Sequence, residues 1–270
     1  MDAEAFRQFE RDTHDRLAAT YGDFFADVTR AMIAPLLDAA RVTRGSRVLD
    51  VACGPGHLAA AAAARGARAS AVDLSPQMVA LAKRNHPAVD VRQGDAEALP
   101  YGDATFDAVV CAFGVGHFPR PEVAANELAR VLVAGGRLAV SWWDLPRSRV
   151  NATFLDAVAS AGAPPPSGVP AGPPVTRFSD DATLAALLAD AGLVDVVVTT
   201  HTWTHRSASL DAWWHGGLGG MARVNAAVGA QTPDVQRQVR AAFERLASAY
   251  ARDGGYDIPC VAKLAAATKR

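Results

Sequence analysis

Asp50, Asp73, Asp95 and His117 are the residues of this 270-residue chain whose types and spacing suit chemistry. Asp50 sits in the apolar run Val48-Leu49-Asp50-Val51, which turns through Ala52-Cys53-Gly54-Pro55-Gly56-His57 into an alanine-rich stretch. Gly54 and Gly56 lack the β-carbons that would keep backbone amides away from a ligand. Asp73 ends a second apolar run, Ser70-Ala71-Val72-Asp73-Leu74-Ser75, about 20 residues on, where such folds place a carboxylate on ribose hydroxyls. Asp95, in Gly94-Asp95-Ala96-Glu97-Ala98-Leu99-Pro100, follows a third run; from there its carboxylate and the Ala96 amide reach an adenine amino group and ring nitrogen. His117 closes Ala112-Phe113-Gly114-Val115-Gly116-His117-Phe118. An imidazole there serves as a general base or as a structural group fixing the loop, and both readings stay open. Gly54-x-Gly56-x-x-Ala59 also satisfies the loose dinucleotide fingerprint, so an NAD-dependent oxidoreductase is a rival reading.

These residues need strands that end together at one edge. Val48 to Val51, Ser70 to Asp73, Phe106 to Phe113 and Leu138 to Trp143 read as buried strands, and the intervening segments read as helices. Ser75-Pro76 caps one helix and Pro87 stops it, Gly66 ends the one before, and the pair Gly135-Gly136 stops the helix containing Glu127 to Leu132. Strand and helix in alternation predict a parallel sheet. Residues 1–40 carry apolar side chains from Phe6 to Leu37 at helical spacing and suit a lid over the ligand. Prolines and glycines from Ala163 to Pro174 suit an extended flap. Beyond it, Ser179 caps a helix to Ala191, Val194 to Trp203 is β-branched, Thr232-Pro233 opens a last helix that Arg252-Asp253-Gly254-Gly255 ends, and Tyr256 to Ala266 makes a closing strand.

Over residues 45–145 this ordered set resembles the class I S-adenosylmethionine (SAM) methyltransferases, in the small-molecule group that includes ubiquinone and menaquinone biosynthesis enzymes. The resemblance implies a Rossmann-like three-layer α/β sandwich with a seven-stranded, mostly parallel sheet in the order 3-2-1-4-5-7-6, the last strand antiparallel. It implies one domain: lid 1–40, SAM-binding core 41–145, flap 146–178, core 179–206, substrate cap 207–252 and closing strand 253–270. It places Asp50, Ala52, Gly54 and Gly56 at the amino-acid end of SAM, Asp73 at the ribose, Leu74 and Met78 at the adenine, Asp95 and Ala96 at the adenine edge, and Ala112 beside them. Ala52 stands where the family often has glycine. Tyr21 matches an aromatic residue that often covers the methionine moiety, although a core or lid role gives the same sequence.

Methyl transfer from a sulfonium is an in-line substitution with an activated donor, so a protein mainly aligns the partners and, where needed, removes one proton. Phe113, His117, Trp143 and Trp213 are the acceptor candidates. Trp142 and Trp143 alternate along a strand, which predicts that at most one lines a pocket, and core packing is the other reading for the tryptophans. His201, His205 and His215 lack the carboxylate pattern of a metal site, and no metal is expected. Arg147, Arg149, Arg206 and Arg223 would suit an anionic group such as a prenyl diphosphate.

The net charge is −1 with no dense Lys/Arg run, which argues against a nucleic-acid substrate. No apolar run is long enough for a membrane span, the start Met1-Asp2-Ala3-Glu4 lacks a secretory pattern, and Cys53, Cys111 and Cys260 have no disulfide or metal spacing, so a cytoplasmic monomer or homodimer is expected. The expected activity is SAM-dependent methylation of oxygen or carbon on a small, largely apolar quinone, polyketide or isoprenoid metabolite. C-methylation of a prenyl diphosphate, and a SAM-binding protein or pericyclic catalyst that transfers no methyl, are the other readings.

Overall fold

The computed structural model describes residues 1–164, 166 and 168–270. Its centre is a sheet built by the apolar runs read above: β1 (Arg47–Val51), β2 (Arg68–Asp73), β3 (Asp90–Gln93), β4 (Phe106–Ala112) and β5 (Leu132–Trp143) run parallel to one another. β6 (Leu193–Ser207) and β8 (Gly255–Lys269) complete it in the order β3-β2-β1-β4-β5-β8-β6, with β8 antiparallel to both neighbours. This is the expected order, with a short extra strand β7 (Ala251–Arg252) paired to β8. The 252–255 segment is therefore the turn of a hairpin instead of a helix end.

β1 is buried almost throughout, consistent with a strand flanked on both sides. The chain winds from β1 to β2 and β3 on one side and returns to β4 on the other, so a crevice opens at the carboxyl ends of β1 and β4. Helices α4 (His57–Ala64), α5 (Pro76–Asn85) and α6 (Pro121–Arg130) connect these strands. Ser75 Oγ caps α5 by accepting from the Met78 amide, with Pro76 in the first turn. Two local readings change. Gly135 and Gly136 lie inside β5, where the register against β4 shifts, so α6 ends earlier, at Arg130. Asp180, not Ser179, caps α8 (Asp181–Asp190).

Over the crevice lie α1 (Ala3–Leu17) and α2 (Phe25–Arg30); α3 (Ile33–Ala39) packs on β4 and β5 instead, so the predicted helical lid is broken into three helices, the last of them off the crevice. The cap consists of α9 (Leu210–Leu218), α10 (Ala222–Gly229) and α11 (Pro233–Ala247). The 146–178 stretch carries a full helix, α7 (Arg149–Ser160), which packs on α11. The proline-rich part of the predicted flap includes Pro165 and Ser167, which lie outside the described residues. No helix among the described residues is long and apolar enough to cross a membrane.

Candidate active site

At the carboxyl end of β1 the backbone turns sharply, with Ala52 at φ 56° and Gly54 at φ 50°. Phe113, at the matching end of β4, is also left-handed at φ 57°. Two side-chain-bearing residues held in that region on adjacent strands mark a turn forced by its surroundings. The Gly54 amide donates to Asp73 Oδ2 (2.8 Å) and the Ser75 amide to Asp73 Oδ1 (2.9 Å), so the end of β2 fixes the glycine loop. Burial raises the Asp73 carboxyl above its ordinary range, against the lowering effect of those two amides.

These ends floor a cleft enclosing about 800 Å³ of space open to solvent. Ala52, Gly54, Asp73, Leu74, Met78, Asp95, Ala96, Ala112, Phe113, His117 and Tyr21 all line it. Asp50 and Gly56 do not. Asp50 is buried behind the loop, where Oδ2 accepts from the Ala59 amide (3.0 Å), and burial pushes its carboxyl up to about 8. Gly56 supplies the left-handed turn (φ 83°) before α4, and a β-carbon there would lie 3.1 Å from that of Ala82 on α5. Both shape the loop and neither reaches the cleft.

A second cavity of about 760 Å³ adjoins the first and shares His14, Tyr21, Phe113 and His117 with it. Its walls are aromatic and aliphatic, including Phe25, Trp142, Trp143, Leu155 and Val224. Trp143 stacks on Phe113 with ring centroids 4.1 Å apart. Trp142, expected to face away, also lines the cavity: its Nε1 donates to the Val175 carbonyl (2.8 Å), and its ring lies so close to Gly116 that a β-carbon there would be 2.1 Å from Cζ2. The two rings leave β5 on opposite faces, but at the strand's end the loop carrying His117 bends round Trp142, so both reach one space. Trp213 is fully buried against Phe243 (5.1 Å between centroids) and lines neither cavity. Its apolar bulk serves the cap's core.

The polar cluster at the junction joins His117 to Glu10 and His14, two residues that the sequence reading does not single out. Glu10 and His14 come from α1, and His117 Nδ1 lies 2.9 Å from Glu10 Oε2. Glu10 shares the apolar stripe of Phe6, Thr13 and Leu17, and a carboxylate on such a stripe is the sequence signal that would have exposed it. Desolvation in the cleft holds His117 below the ordinary histidine value, opposed by Glu10, so the imidazole is neutral at pH 7 and able to take a proton. Glu10, His14 and His117 bring one ligand-type atom each within 4.8 Å of the others. Within that cluster His14 Nδ1 lies 2.8 Å from the Glu10 carbonyl and His117 Nδ1 2.9 Å from the Glu10 side chain, so hydrogen bonds join the three residues. His201, His205 and His215 line neither cavity. Arg147, Arg149 and Arg206 pair with Asp144, Asp156 and Asp257; of the four arginines only Arg223 reaches the second cavity.

The cleft fits a ribosylated cofactor. A carboxylate offers about four lone-pair directions, and Asp73 uses one on each oxygen, leaving the others for a diol. A β-carbon on Gly54 would meet nothing within 4 Å, so the loop is open on its cleft side. Arg7 of α1 lies 2.6 Å from Asp95 and 2.7 Å from Glu97, tying the lid to the far end of the cleft.

The sequence matches the family described as "Methyltransferase domain" over residues 49–140. An uncharacterised protein of Mycobacterium tuberculosis is 37% identical over 145 residues, 51% of this chain and 52% of that one. The chain thus spans about half the length of the first relatives it matches. The demethylmenaquinone methyltransferase of Renibacterium salmoninarum is 34% identical over 62% of this chain and 75% of its own length. The crystal structure of the YcgJ protein from Bacillus subtilis superposes with a TM-score of 0.59 at 22% identity, over 89% of this chain and 99% of that one. With the glycine loop, Asp73 and Asp95 on one cleft and these relatives, the chain belongs to the class I SAM-dependent methyltransferases, whose cofactor is SAM.

Proposed function

We propose that this protein transfers the methyl group of SAM to an oxygen or carbon of a small, largely apolar aromatic acceptor, of the quinol type. The observation that carries this reading is that the cofactor cleft and an aromatic-walled second cavity meet at Tyr21, Phe113 and His117. The name of the Renibacterium relative favours a quinol among apolar acceptors. The lining of the second cavity is mostly apolar, with His14, Tyr21, Thr29, His117, Asn151 and Arg223 as its polar side chains. Asn151 is among them, and its Oδ1 is buried with no hydrogen-bond partner among the described residues.

When bound, SAM supplies an activated methyl group. Asp73 holds the ribose hydroxyls, the Asp95 carboxylate and the Ala96 amide face the adenine, and Leu74 and Met78 exclude water from it. Tyr21, its hydroxyl pushed up to about 12 by burial and the nearby Asp73, stays protonated and covers the junction as a hydrogen-bond donor. Phe113 and Trp143 hold a flat acceptor, and His117 Nε2 takes the proton from its hydroxyl. In transfer to oxygen this is the one proton lost; in transfer to carbon the hydroxyl proton is regained as the hydrogen of the methylated ring carbon leaves as a proton. Arg223 supports a diphosphate acceptor less well, because its donors already face Glu10 and the Gly116 and Pro173 carbonyls.

The test is incubation with methyl-labelled SAM and three acceptors: a 1,4-naphthoquinol with a short prenyl chain, a simple neutral phenol and a prenyl diphosphate. Label should pass to the quinol. Label on the diphosphate alone overturns the acceptor class; SAM binding without transfer to any acceptor in a metabolite extract overturns the activity.

A further inference from the structure

Glu10 is 3% exposed on the apolar face of α1. An ionised side chain in such a place is costly unless both oxygens are engaged. Oε2 lies 2.9 Å from His117 Nδ1 and Oε1 3.3 Å from Arg223 Nε. Arg223 also donates to the Gly116 carbonyl (2.9 Å) and to the Pro173 carbonyl (2.7 Å). Because Gly116 precedes His117, the contacts close into a ring of carboxylate, imidazole, carbonyl and guanidinium. Its members come from α1, the loop after β4, and α10, so the ring forms only when lid and cap are docked on that loop.

Burial alone would raise the Glu10 carboxyl, but the hydrogen bond from His117 Nδ1 and the Arg223 guanidinium outweigh it and bring it down to about 2. Glu10 is therefore ionised at neutral pH and can only accept. The hydrogen between the two groups must then sit on His117 Nδ1. We propose that Glu10 is a positioning residue: its carboxylate holds His117 as the Nδ1–H tautomer and leaves the Nε2 lone pair free for the acceptor's proton. This rests on His117 acting as the base in the proposed reaction. The charged groups facing the imidazole are Glu10 and His14 of α1, Arg223 of α10 and Asp73 at the end of β2.

The test is nitrogen-15 NMR of the histidine side chains in the full, unliganded chain, with the His117 signals assigned by their loss in His117→Gln. Wild type should show a protonated Nδ1 and an unprotonated Nε2 at pH 7. Glu10→Leu should move the tautomer ratio toward Nε2–H by about tenfold or more, the effect of losing a bond to a charged acceptor. Arg223→Met breaks the same ring but keeps the carboxylate, so the Nδ1–H form should persist. If Glu10→Leu does not fold, Glu10→Gln carries the test: it keeps an acceptor oxygen without the charge, and the His117 ionisation midpoint should fall. An Nε2–H imidazole in wild type, an unmoved ratio in Glu10→Leu or an unmoved midpoint in Glu10→Gln overturns the proposal. Calorimetry with S-adenosylhomocysteine is run beside it. Absence of binding there sinks the methyltransferase reading while the tautomer result stands by itself.

Discussion

Asp73 has a lone-pair direction free on each oxygen, and the glycine loop beside it is open toward the cleft. Charge-assisted bonds to two ribose hydroxyls are each worth about 1.5–3 kcal/mol, so Asp73→Ala should weaken SAM binding at least tenfold. Calorimetry on a variant with an unchanged far-UV spectrum checks it, and unaltered affinity would show that the ribose is held elsewhere. His117 is tested differently. His117→Ala should lower turnover about 10²–10⁴-fold with SAM affinity nearly unchanged, the range for a positioned base. Since desolvation lowers the imidazole's ionisation, the rising limb of the wild-type pH–rate profile should have its midpoint below the ordinary value of 6.5, and should vanish in the variant. A limb that persists with wild-type turnover assigns the proton to another group.

At the scale of elements, the lid and cap meet through small residues. The run His215-Gly216-Gly217-Leu218-Gly219-Gly220 ends α9, and a β-carbon on Gly220 would lie 2.3 Å from Phe25 Cδ2, on a ring that lines the second cavity. Gly220→Ala should push α2 and the cap apart, costing about 1–3 kcal/mol as overpacking does. The expected result is a fall in Tm of roughly 3 °C or more and a raised KM for the acceptor, with SAM affinity little changed. A variant with wild-type Tm and KM would mean that lid and cap are not packed as described. α1 is held independently of this contact, by Arg7 on Asp95 and Glu97 and by Asp15, which accepts from the Ser75 hydroxyl and the Gln77 amide.

At the scale of the whole molecule, two buried carboxyls pull pH-dependent stability in opposite directions. Asp50 is raised from 3.8 to about 8, so its contribution is fully present below the unfolded value and is lost as pH rises through 8. Glu10, lowered from 4.5 to about 2, contributes above its unfolded value and loses that contribution as pH falls through 2. Stability of the unliganded protein should therefore decline between about pH 4 and 8 through Asp50. Asp50→Asn should flatten that decline without changing the acid limb below pH 4.5 that Glu10 sets. Thermal melts across this range check it, and an identical slope in the variant would show that Asp50 is ionised throughout.

The parallel core and the strand ends that line the cleft were legible in the sequence because they depend on local signals. β1 and β4 are buried nearly throughout and β2 at Ala71 and Val72, so they read as apolar runs, and turn residues bracket the helices between them. Asp73, Asp95 and the glycine loop are each fixed by the end of the strand that carries them. Gly135-Gly136 misled for the same reason: a local stop signal was overridden by pairing of β5 with β4. The tertiary structure alone decided the junction. Glu10 meets His117 across 107 residues and Arg223 across 213, and no periodicity encodes a contact between a lid, a loop and a cap. Trp142 and Trp213 exchanged their expected places because strand alternation tells which face a ring leaves, whereas the loop and helices packed beyond that face decide whether it ends in a cavity or in the core.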